Sequence, residues 1–592
     1  MHLAAIDWII IIAYLAFSLG VGIYFSGKAS ESTEEYFLSG RNFPWWLVGT
    51  SMVATTFAAD TPLAVTEFVR TNGVWQNWFW WSAVPQGLLS VFLFSRLWRR
   101  AEVLTENELL ELRYGGRPAA FLRGFKALYF ATLYNLIIMG WVLNAMTSIL
   151  AVLLDVDKTL ALWGCAAVAL SYALLSGFYG VVVTDLVQFV IATVGSYTLA
   201  VVALAKLGGL KAILSHIPAN HTAIFPPLPP PDATPTEFWL SPFVKVVIFV
   251  LMVWWCRFDI DGGGYIVQRM SAAKDERHAT LGTLWFYFLF YVGRAWPWIL
   301  VALASMVAFP DVSGIEMGDK VAYPMMIRDY LGPGLKGILV VSFLAAFMST
   351  IDTHLNWGAS YLVHDVYARF IKPNADQHHY VRVSQGATLA LMVAGAMLAS
   401  QMQVISKAWE FLLSMGAGAG LILGLRWFWW RLSAWSEITA MFSSLTLSLG
   451  LELLAWWQHR FENVGLFEKA PVLFGIPFEF HLKLLFIVPI SLAITALVTL
   501  VTQPESPETL QRFYTKVQPG GWWKPEHQTE AGQLESVTTG VIPRLIAGAF
   551  LLWGGIFSGG YLCMGHYGTA ALWGIASLAG LVCLLSLQRR SW

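Results

Sequence analysis

The sequence predicts an all-α polytopic membrane protein with about fifteen transmembrane helices. Its 592 residues are 57% hydrophobic and only 12% charged, and the mean hydropathy is +0.59. Apolar runs of about 20 residues, the length of a helix that crosses a bilayer core, recur along the chain. Basic and acidic residues number 37 each, so the formal net charge is zero. These values exclude a soluble globular enzyme, a disordered protein and a nucleic-acid binder with a basic face.

The bounds of the predicted spans follow from the apolar runs. Each run is longer and more uniformly apolar than an alternating strand of a membrane β-barrel. The first run has no basic segment before it and no small-residue cleavage site after it, so we expect a retained helix rather than a signal peptide. The predicted spans lie near 7–26, 43–69, 76–97, 122–152, 158–177, 181–206, 240–258, 279–308, 333–364, 381–402, 405–429, 434–456, 482–502, 541–563 and 569–587.

Basic residues concentrate in alternate connections between the spans. The connection at 208–240, on the other side, is rich in proline and carries few charges. Because basic loops remain in the cytoplasm, the pattern predicts an outside N-terminus and an inside C-terminus, LQRRSW, in a multi-pass protein of the cell (inner) membrane. The basic connections follow spans three, seven, nine, eleven and thirteen and include RLWRR, QRMSAAKDERHA, ARFIKPNADQHHYVR, LRWFWWRL and QRFYTKVQPGGWWKP.

Two predicted spans contain residues that interrupt a helix. Span two holds Pro62, which lacks a backbone donor and disfavours helix at the residue before it. Span seven ends in DIDGGG, where each glycine at 262–264 costs about 1 kcal/mol in a helix relative to alanine. The breaks lie five spans apart, so the two helices run in opposite directions, as in inverted-repeat transporters. A kinked structural helix together with a surface loop is the alternative.

Ionisable residues inside spans are costly and mark functional sites. Carboxylates outnumber basic groups here, which favours the binding of cations. Structural alternatives remain for four of these residues. Arg257 and Asp261, four apart, could pair on one helix face; Asp185, after the turn GFYG, could complement a helix dipole; and Arg294 is expected to pair with a structural carboxylate. The residues are Asp60, Glu67, Asp185, Arg257, Asp259, Asp261, Arg294 and Asp352.

Span nine carries a polar stripe. Ser349, Asp352, Thr353 and Asn356 follow the spacing i, i+3, i+4, i+7 and share one helix face. Hydroxyl, carboxylate and carbonyl oxygens are hard ligands that suit Na+. The four cysteines stand singly, no zinc or haem pattern is present, and no P-loop lysine motif indicates ATP as the energy source. We therefore expect an ion-driven transporter, not an enzyme.

Five ordered motifs resemble the sodium:solute symporter family, which includes the sodium/glucose cotransporters. The resemblance covers nearly the whole chain in the right order. In chain order, the motifs are similar to the family's opening signature, the segment after its third helix, the inner end of its seventh helix, its sodium-site helix and its late cytoplasmic loop. The motifs are YFLSGRNFPWWLVGTSMVATTFAADTP, TENELLELRYGG, YIVQRMSAAKD, FLAAFMSTIDTHLN and RFYTKVQPGGW.

The resemblance implies a LeuT-type fold and a set of sodium ligands. A ten-helix core at 43–430 would consist of two inverted repeats, about 43–206 and 240–430. A first helix and loop at 1–42 would precede the core, and accessory helices at 431–592 would follow it. One sodium site would use Ala54, Phe57, Ala346, Ser349 and Thr350. A second cation site, for sodium or a proton, would use Asp185 with Asp352 and Thr353 across from it.

The substrate pocket implied by the resemblance lies beside the two broken helices. It maps onto Asp60, Thr61, Asp261 and Tyr265, with Tyr265 placed like an inner gate. From the residues themselves, the backbone around Gly263 is expected to line the same cavity, together with Asp259 and Asp261, opposite Asp60. DIDGGG departs from the pattern of the sugar transporters, so sugar specificity does not follow from the resemblance.

The sequence thus predicts a Na+-coupled symporter that imports a small polar solute by alternating access. A sugar or polyol is favoured, and an amine or amino acid is the alternative. A proton-coupled symporter on the same fold and a transporter-like membrane sensor are the rival functions. The expected partners are the solute and the lipid bilayer, with no nucleic acid and no obligatory protein partner.

Overall fold

The structure, a computed structural model, is helical almost throughout. It describes residues 3–29, 41–312, 314–315, 318–402, 405–461, 469–524, 526 and 537–589. The predicted cytoplasmic loop therefore lies outside the described residues at 30–40, as do residues 590–592 of the C-terminal sequence LQRRSW. In the described part, the only strands form a short hairpin, β1 (Val472–Leu473) and β2 (Ile476–Pro477).

The first half of the chain contains fifteen α-helices in the described residues. They are α1 (Ala5–Ala29), α2 (Trp45–Thr55), α3 (Asp60–Thr71), α4 (Trp78–Trp81), α5 (Val84–Leu89), α6 (Ser95–Ala101), α7 (Glu108–Arg113), α8 (Gly116–Tyr129), α9 (Asn135–Leu154), α10 (Lys158–Lys206), α11 (Leu210–Ser215), α12 (Ala219–Thr222), α13 (Pro235–Trp239), α14 (Pro242–Ile248) and α15 (Trp254–Cys256).

The second half contains α16 (Gly264–Ala272), α17 (Glu276–Phe288), α18 (Ala295–Ala308), α19 (Ala322–Tyr330), α20 (Leu335–Ser360), α21 (Gln377–Ala399), α22 (Ile405–Gly416), α23 (Gly420–Leu425), α24 (Ala434–Gln458), α25 (Phe480–Val501), α26 (Pro507–Val517), α27 (Val541–Cys563) and α28 (Tyr567–Arg589). Short π-helical and 3₁₀ segments join several helices into longer rods. They are Val74–Asn77, Ser90–Phe94, Phe130–Tyr134, Phe249–Val253, Leu289–Gly293, Gly318–Val321 and Tyr361–Ile371.

Ten helical segments of the described residues are long and apolar enough to cross a membrane, by length and composition. The remaining predicted spans are present as shorter helices. Spans two, three, five, seven and eleven correspond to α2–α3, α4–α6, the first part of α10, α14–α15 and α22–α23. The prediction of an all-helical polytopic membrane protein is confirmed. The count of fifteen spans and the orientation stay predictions.

The largest difference from the predicted elements is α10. Two spans with a turn between them were expected, whereas the structure has one helix of 49 residues. Asp157 begins it, since its Oδ1 accepts from the backbone N–H groups of Thr159 and Leu160. The segment contains no proline, so i→i+4 hydrogen bonding can continue across the expected turn. Asp185 therefore lies in the middle of a helix, where it cannot complement the dipole of an N-terminus.

Helices α10 and α20 pack along each other, and α1 packs against both. Asp7 fixes α1 to the start of α20, because its Oδ1 accepts from the backbone N–H groups of Gly334 and Gly337 at 2.7 Å each. A Cβ at Gly337 would lie 2.7 Å from Cα of Asp7, so the close approach requires glycine. The polar stripe of α20 is thereby buried in the centre of the molecule.

Both predicted helix interruptions are confirmed. Helix α2 ends at Thr55 and α3 begins at Asp60, which leaves a first break at 56–59. Helix α15 ends at Cys256 and α16 begins at Gly264, which leaves a second break at 257–263. Glycines 262, 263 and 264 have φ angles of 115°, 63° and 40°, which residues with a Cβ rarely adopt.

Candidate functional site

A cavity of about 250 Å³ lies between the two helix breaks. Helices α3, α9, α20 and α22 and both breaks contribute to its wall. Of the predicted solute-binding residues, Asp60, Thr61, Asp259 and Tyr265 line the cavity. Its other charged or titratable neighbours are Arg257, Arg294, His354 and Tyr134, and its aromatic wall is formed by Phe79, Trp80, Trp141, Phe290 and Trp409.

The start of α3 brings a carboxylate to this cavity. Asp60 is the first residue of α3 and is only 2% exposed. A negative charge at a helix N-terminus is favoured by the helix dipole, which helps a buried aspartate to persist there. No donor among the described residues bonds to its Oδ1. Burying an unpaired carboxylate oxygen is costly, so this oxygen is a candidate acceptor for a bound solute.

Arg294 joins the first break to the cavity. Its Nη1 donates to the carbonyl oxygen of Thr56 at 2.5 Å and to the hydroxyl of Thr56 at 3.2 Å. The guanidinium lies 3.8 Å from the ring centroid of Phe290, and its Nε has no partner among the described residues. The expected carboxylate pair of Arg294 is therefore not formed. Its charge is held by a backbone carbonyl and an aromatic face instead.

The second break pairs its own charges. Arg257 Nε and Nη2 donate to the two carboxylate oxygens of Asp259 at 2.8 and 2.6 Å. The carbonyl of Asp259 accepts from Nε2 of Gln86 at 2.5 Å, which fixes the turn. Four-residue spacing suggested a pair between Arg257 and Asp261, but the chain is not helical here. The partner two residues away is reached instead.

Two predicted solute-binding residues lie outside the cavity lining. Oδ2 of Asp261 accepts from Nη2 of Arg426 at 2.8 Å and from the indole of Trp427 at 3.1 Å. Gly263 has a turn function, since a Cβ there would lie 2.8 Å from Cβ of Asp259. The prediction placed both residues by their position in the sequence near the break. In this structure Asp261 is held by Arg426, the residue after α23, and the assignment of both residues to the solute site stays a prediction.

Asp261 belongs to a buried ion network below the second break. Arg426 Nη1 donates to Oε1 of Glu437 at 3.1 Å, and Nζ of Lys126 lies 3.4 Å from the same oxygen. Nζ of Lys126 is also 2.8 Å from Oε1 of Glu106, whose Oε2 accepts from the N–H of Gly264. The network ties the start of α16 to α8, α23 and α24. Its members are Asp261, Arg426, Glu437, Lys126 and Glu106.

Tyr265 and His354 form the end of the cavity near α16. Their ring centroids are 5.3 Å apart in an edge-to-face arrangement. Nδ1 of His354 contacts Oδ1 of Asn135 at 2.5 Å, and Nδ2 of Asn135 donates to the carbonyl of His354. This fixes the ring against α9. Tyr265 lies where a side chain could close the cavity, and its function as a gate stays a prediction.

Helix α20 brings predicted sodium ligands against the first break. Oγ1 of Thr350 donates to the carbonyl of Thr55 at 2.8 Å and to the carbonyl of Ala346 at 3.1 Å. The carbonyl of Ala54 accepts from the N–H of Phe57 at 3.0 Å. Thr350 is therefore in direct contact with the end of α2. Ser349 instead donates to Oδ1 of Asp185 at 2.5 Å.

A guanidinium lies among the oxygens of the predicted second cation site. Nη2 of Arg269 donates to Oγ1 of Thr55 at 3.0 Å and of Thr353 at 2.9 Å, and it lies 3.4 Å from Oδ2 of Asp185. Nε of Arg269 donates to Ser51, whose hydroxyl donates to Asp185 at 2.5 Å. The arginine side chain is 1% exposed. Asp185 and Thr353 thus meet, with a positive charge already between them.

Asp352 is the third member predicted for that site. Its side chain is buried, and no described residue donates to its Oδ1. Its place in a second cation site stays a prediction.

Sequence reasoning missed Arg269 and Arg426. Arg269 is part of the motif YIVQRM. It follows the second helix break, so the sequence assigned it to a basic connection and not to the charges inside the membrane. Arg426 was counted only as a basic residue of a connection. The excess of carboxylates over basic groups in the predicted spans could have indicated these two arginines. A buried carboxylate needs a positively charged partner, so some partners had to come from outside the spans.

A family model described as "Sodium:solute symporter family" matches residues 36–443. A curated sodium/glucose cotransporter of Vibrio parahaemolyticus is 24% identical over 486 residues, covering 76% of this chain and 86% of that protein. A sodium/mannose cotransporter of Bos taurus is 23% identical over 465 residues, and a sodium/myo-inositol cotransporter 2 of Rattus norvegicus is 25% identical over 479 residues, with 71% of this chain covered in both cases.

Among solved structures, an outward-open Na+-coupled sialic acid symporter has a similar fold. The TM-score is 0.62 at 17% sequence identity, with 85% of this chain and 99% of that chain covered. At this identity the likeness concerns the fold alone. It agrees with the helical architecture and the LeuT-like arrangement expected from the sequence.

Proposed function

The chain belongs to the sodium:solute symporter family, and we propose that it imports a small polar solute bound in the cavity between its two helix breaks. The family is established by a match over residues 36–443. The chain is thus a membrane transporter and not an enzyme. One observation supports the position of the solute: the buried side chain of Asp60, directly after the first break, belongs to a residue that lines this cavity, and its Oδ1 has no hydrogen-bond donor among the described residues.

We assign the coupling ion to the junction of α2 and α20. The proposed ligands are oxygen atoms of Ala54, Phe57, Ala346, Ser349 and Thr350. A hydroxyl that donates its hydrogen keeps lone pairs for a cation. Ser349 donates to Asp185 and Thr350 donates to the Thr55 carbonyl, so both hydroxyls are suited to bind Na+. Na+ in this position would hold α2 against α20.

A single Na+ is the simplest stoichiometry for this chain. The guanidinium of Arg269 already satisfies Asp185 and Thr353, which were predicted to form a second cation site with Asp352. One charge moved through 100 mV supplies about 2.3 kcal/mol. A tenfold ion gradient adds about 1.4 kcal/mol. Together these two free energies allow one Na+ to support a solute accumulation of roughly several hundred-fold.

Alternating access then requires Na+ to prefer the outward-open state. The proposal includes the predicted topology, with an outside N-terminus, an inside C-terminus and location in the cell (inner) membrane. It also includes the predicted division into a first helix and loop (1–42), inverted repeats at about 43–206 and 240–430, and accessory helices (431–592). Tyr265 would close the cavity towards the cytoplasm.

The relatives described above are named as cotransporters of glucose, mannose or myo-inositol, which supports a sugar or polyol as one candidate solute. An amine or amino acid is the second candidate, and the charges of the cavity favour it. Arg294 and Asp60 are both buried and both line this cavity, and no close ion pair joins them among the described residues.

The ion coupling can be tested without knowing the solute. Purified protein is heated in NaCl and in choline chloride of equal ionic strength, and the unfolding temperatures are compared. We expect stabilisation by Na+ that saturates and that disappears in the Ser349→Ala, Thr350→Ala double variant. Equal unfolding temperatures in Na+ and choline for the wild type would contradict a sodium site. Stabilisation by acid pH in place of Na+ would favour proton coupling.

A further inference from the structure

We propose that the solute is a zwitterion, an amino-acid-like molecule whose ammonium group binds Asp60 and whose carboxylate binds Arg294. This inference rests on the proposed function and specifies the solute of that same cavity. Two opposite charges face a cavity of about 250 Å³. They are 2% and 5% exposed, and no ion pair joins them among the described contacts.

The negative pole is the unpaired side of Asp60. Its Oδ1 receives no hydrogen bond from the described residues. A sugar hydroxyl could donate to this oxygen, but it would bring no positive charge into a cavity whose wall includes Phe79, Trp80, Trp141 and Trp409. An ammonium group supplies both the donors and the opposite charge. The faces of aromatic rings add a favourable electrostatic environment for a cation.

The positive pole is the edge of the Arg294 guanidinium that carries Nε, in a side chain that lines the cavity. Nη1 is used by the carbonyl and hydroxyl of Thr56, and the ring of Phe290 supports one face of the guanidinium. Nε remains without a partner among the described residues. A carboxylate that accepts from this edge would satisfy the remaining donor with the geometry that guanidinium groups prefer.

The other charges of the cavity do not compete for these two groups. Arg257 and Asp259 neutralise each other through two hydrogen bonds. His354 is held by Asn135. The cavity therefore presents a carboxylate and a guanidinium that form no close ion pair among the described residues, and a solute with both charges matches them. A neutral sugar brings a counter-charge to neither group, and a simple amine brings none to Arg294.

The experiment uses full-length purified protein and matched probes. Binding in NaCl is measured by calorimetry for the twenty common amino acids, D-glucose, D-mannose and myo-inositol at millimolar concentration. For the tightest amino acid, the amide (ammonium only) and the deaminated acid (carboxylate only) are then compared. We expect the zwitterion to bind at least about tenfold more tightly than either half-charged analogue, since each removes a charge-assisted contact.

Variants assign the poles. Asp60→Asn is expected to weaken binding of the zwitterion and the amide about tenfold or more but to leave the deaminated acid unchanged. Arg294→Gln is expected to weaken the zwitterion and the deaminated acid but not the amide. Asp232→Asn, which changes an exposed loop carboxylate, serves as the charge control. Arg294→Lys is included because Arg294 also holds Thr56, and Na+-induced stabilisation reports whether each variant is folded.

The outcomes separate this inference from the proposed function. Saturable Na+ stabilisation together with binding of a sugar or myo-inositol, or of none of the amino acids, overturns the zwitterion and leaves Na+-coupled transport intact. Absence of any Na+ effect in the wild type overturns the proposed function itself. Tighter binding of the amide than of the zwitterion would assign an amine and remove the carboxylate from Arg294.

Discussion

The two helix breaks each have carboxylates in or directly beside them but differ in how these charges are satisfied. The first break leaves Asp60 with an unpaired carboxylate oxygen next to a cavity. The second break pairs Asp259 with Arg257 and Asp261 with Arg426. A break in a membrane helix is thus not in itself a binding site. The partners of its charges decide whether it binds a solute or stabilises the fold.

The comparison predicts its largest effect at the second break. Arg426→Met removes one of two cations from a network with three carboxylates, so Asp261 and Glu437 lose their common partner. Breaking a buried pair in this way costs about 3–5 kcal/mol, and we expect that loss in the free energy of unfolding. Thermal unfolding in detergent measures it.

Arg257→Met is the matched control for that loss. Its ion pair with Asp259 is 22% and 29% exposed, so the expected cost is about 1 kcal/mol or less. Equal destabilisation by the two substitutions would show that the two ion pairs of the second break do not differ in the way their exposure implies.

The next largest effect is expected at the first break and concerns transport rather than stability. Asp60→Asn should lower solute uptake into proteoliposomes about ten- to hundredfold, because a charge-assisted hydrogen bond contributes about 1.5–3 kcal/mol. Its unfolding temperature should be unchanged or raised, since an uncompensated buried charge is removed. Asp259→Asn, at the other break, should change uptake much less. Comparable losses of solute uptake in the Asp60→Asn and Asp259→Asn variants would contradict the proposed difference between the two breaks.

A smaller effect is expected where α20 meets the first break. Ser349→Ala combined with Thr350→Ala removes two oxygen ligands and leaves the helix intact. The Na+ concentration for half-maximal uptake should rise about tenfold, the loss expected from about 1.4 kcal/mol. An unchanged Na+ dependence in the folded double variant would remove both hydroxyls from the sodium site.

The smallest expected effect tests the turn of the second break. Gly263→Ala places a Cβ 2.8 Å from Cβ of Asp259 at a φ of 63°, and we expect a loss of about 1–2 kcal/mol in the free energy of unfolding. Gly450→Ala, in α24 with open space around it, should be neutral or stabilising by about 0.4–1 kcal/mol. A stable Gly263→Ala protein would mean that the turn tolerates a side chain.

Local features of the fold could be predicted from the sequence. Pro62 and the glycines at 262–264 act on their own backbone, so the positions of both breaks follow from the residues present there. The apolar runs likewise indicated the helices by length and composition. The turn expected after span five is absent from the described structure. GFYG has turn-like composition, but nothing in it prevents α10 from continuing as a helix.

Partners distant in the chain could not be predicted. Asp261 and Arg426 are 165 residues apart, and Asp185 and Arg269 are 84 apart. A single sequence does not show which of several arginines approaches a given carboxylate. The sequence therefore pointed to Asp60, Thr61, Asp259 and Tyr265 around the cavity, but it also assigned Asp261 and Gly263 to it. The remaining sodium ligands stay predictions because their oxygens depend on how α2 and α20 pack.

The peptide carbonyls of Thr55 and Thr56 are consecutive, yet they are contacted from two sides. Thr55 accepts from Thr350 in the proposed sodium site, and Thr56 accepts from Arg294 in the solute cavity. Ion and solute would thus act on neighbouring peptide units of one short segment. Linkage then requires that Na+ raise the affinity for the solute by the same factor by which the solute raises the affinity for Na+. Because these peptide units are adjacent, a movement caused by one ligand is passed directly to the site of the other. A longer connection would let Na+ or solute leave alone, and the sodium gradient would then be lost without transport of solute.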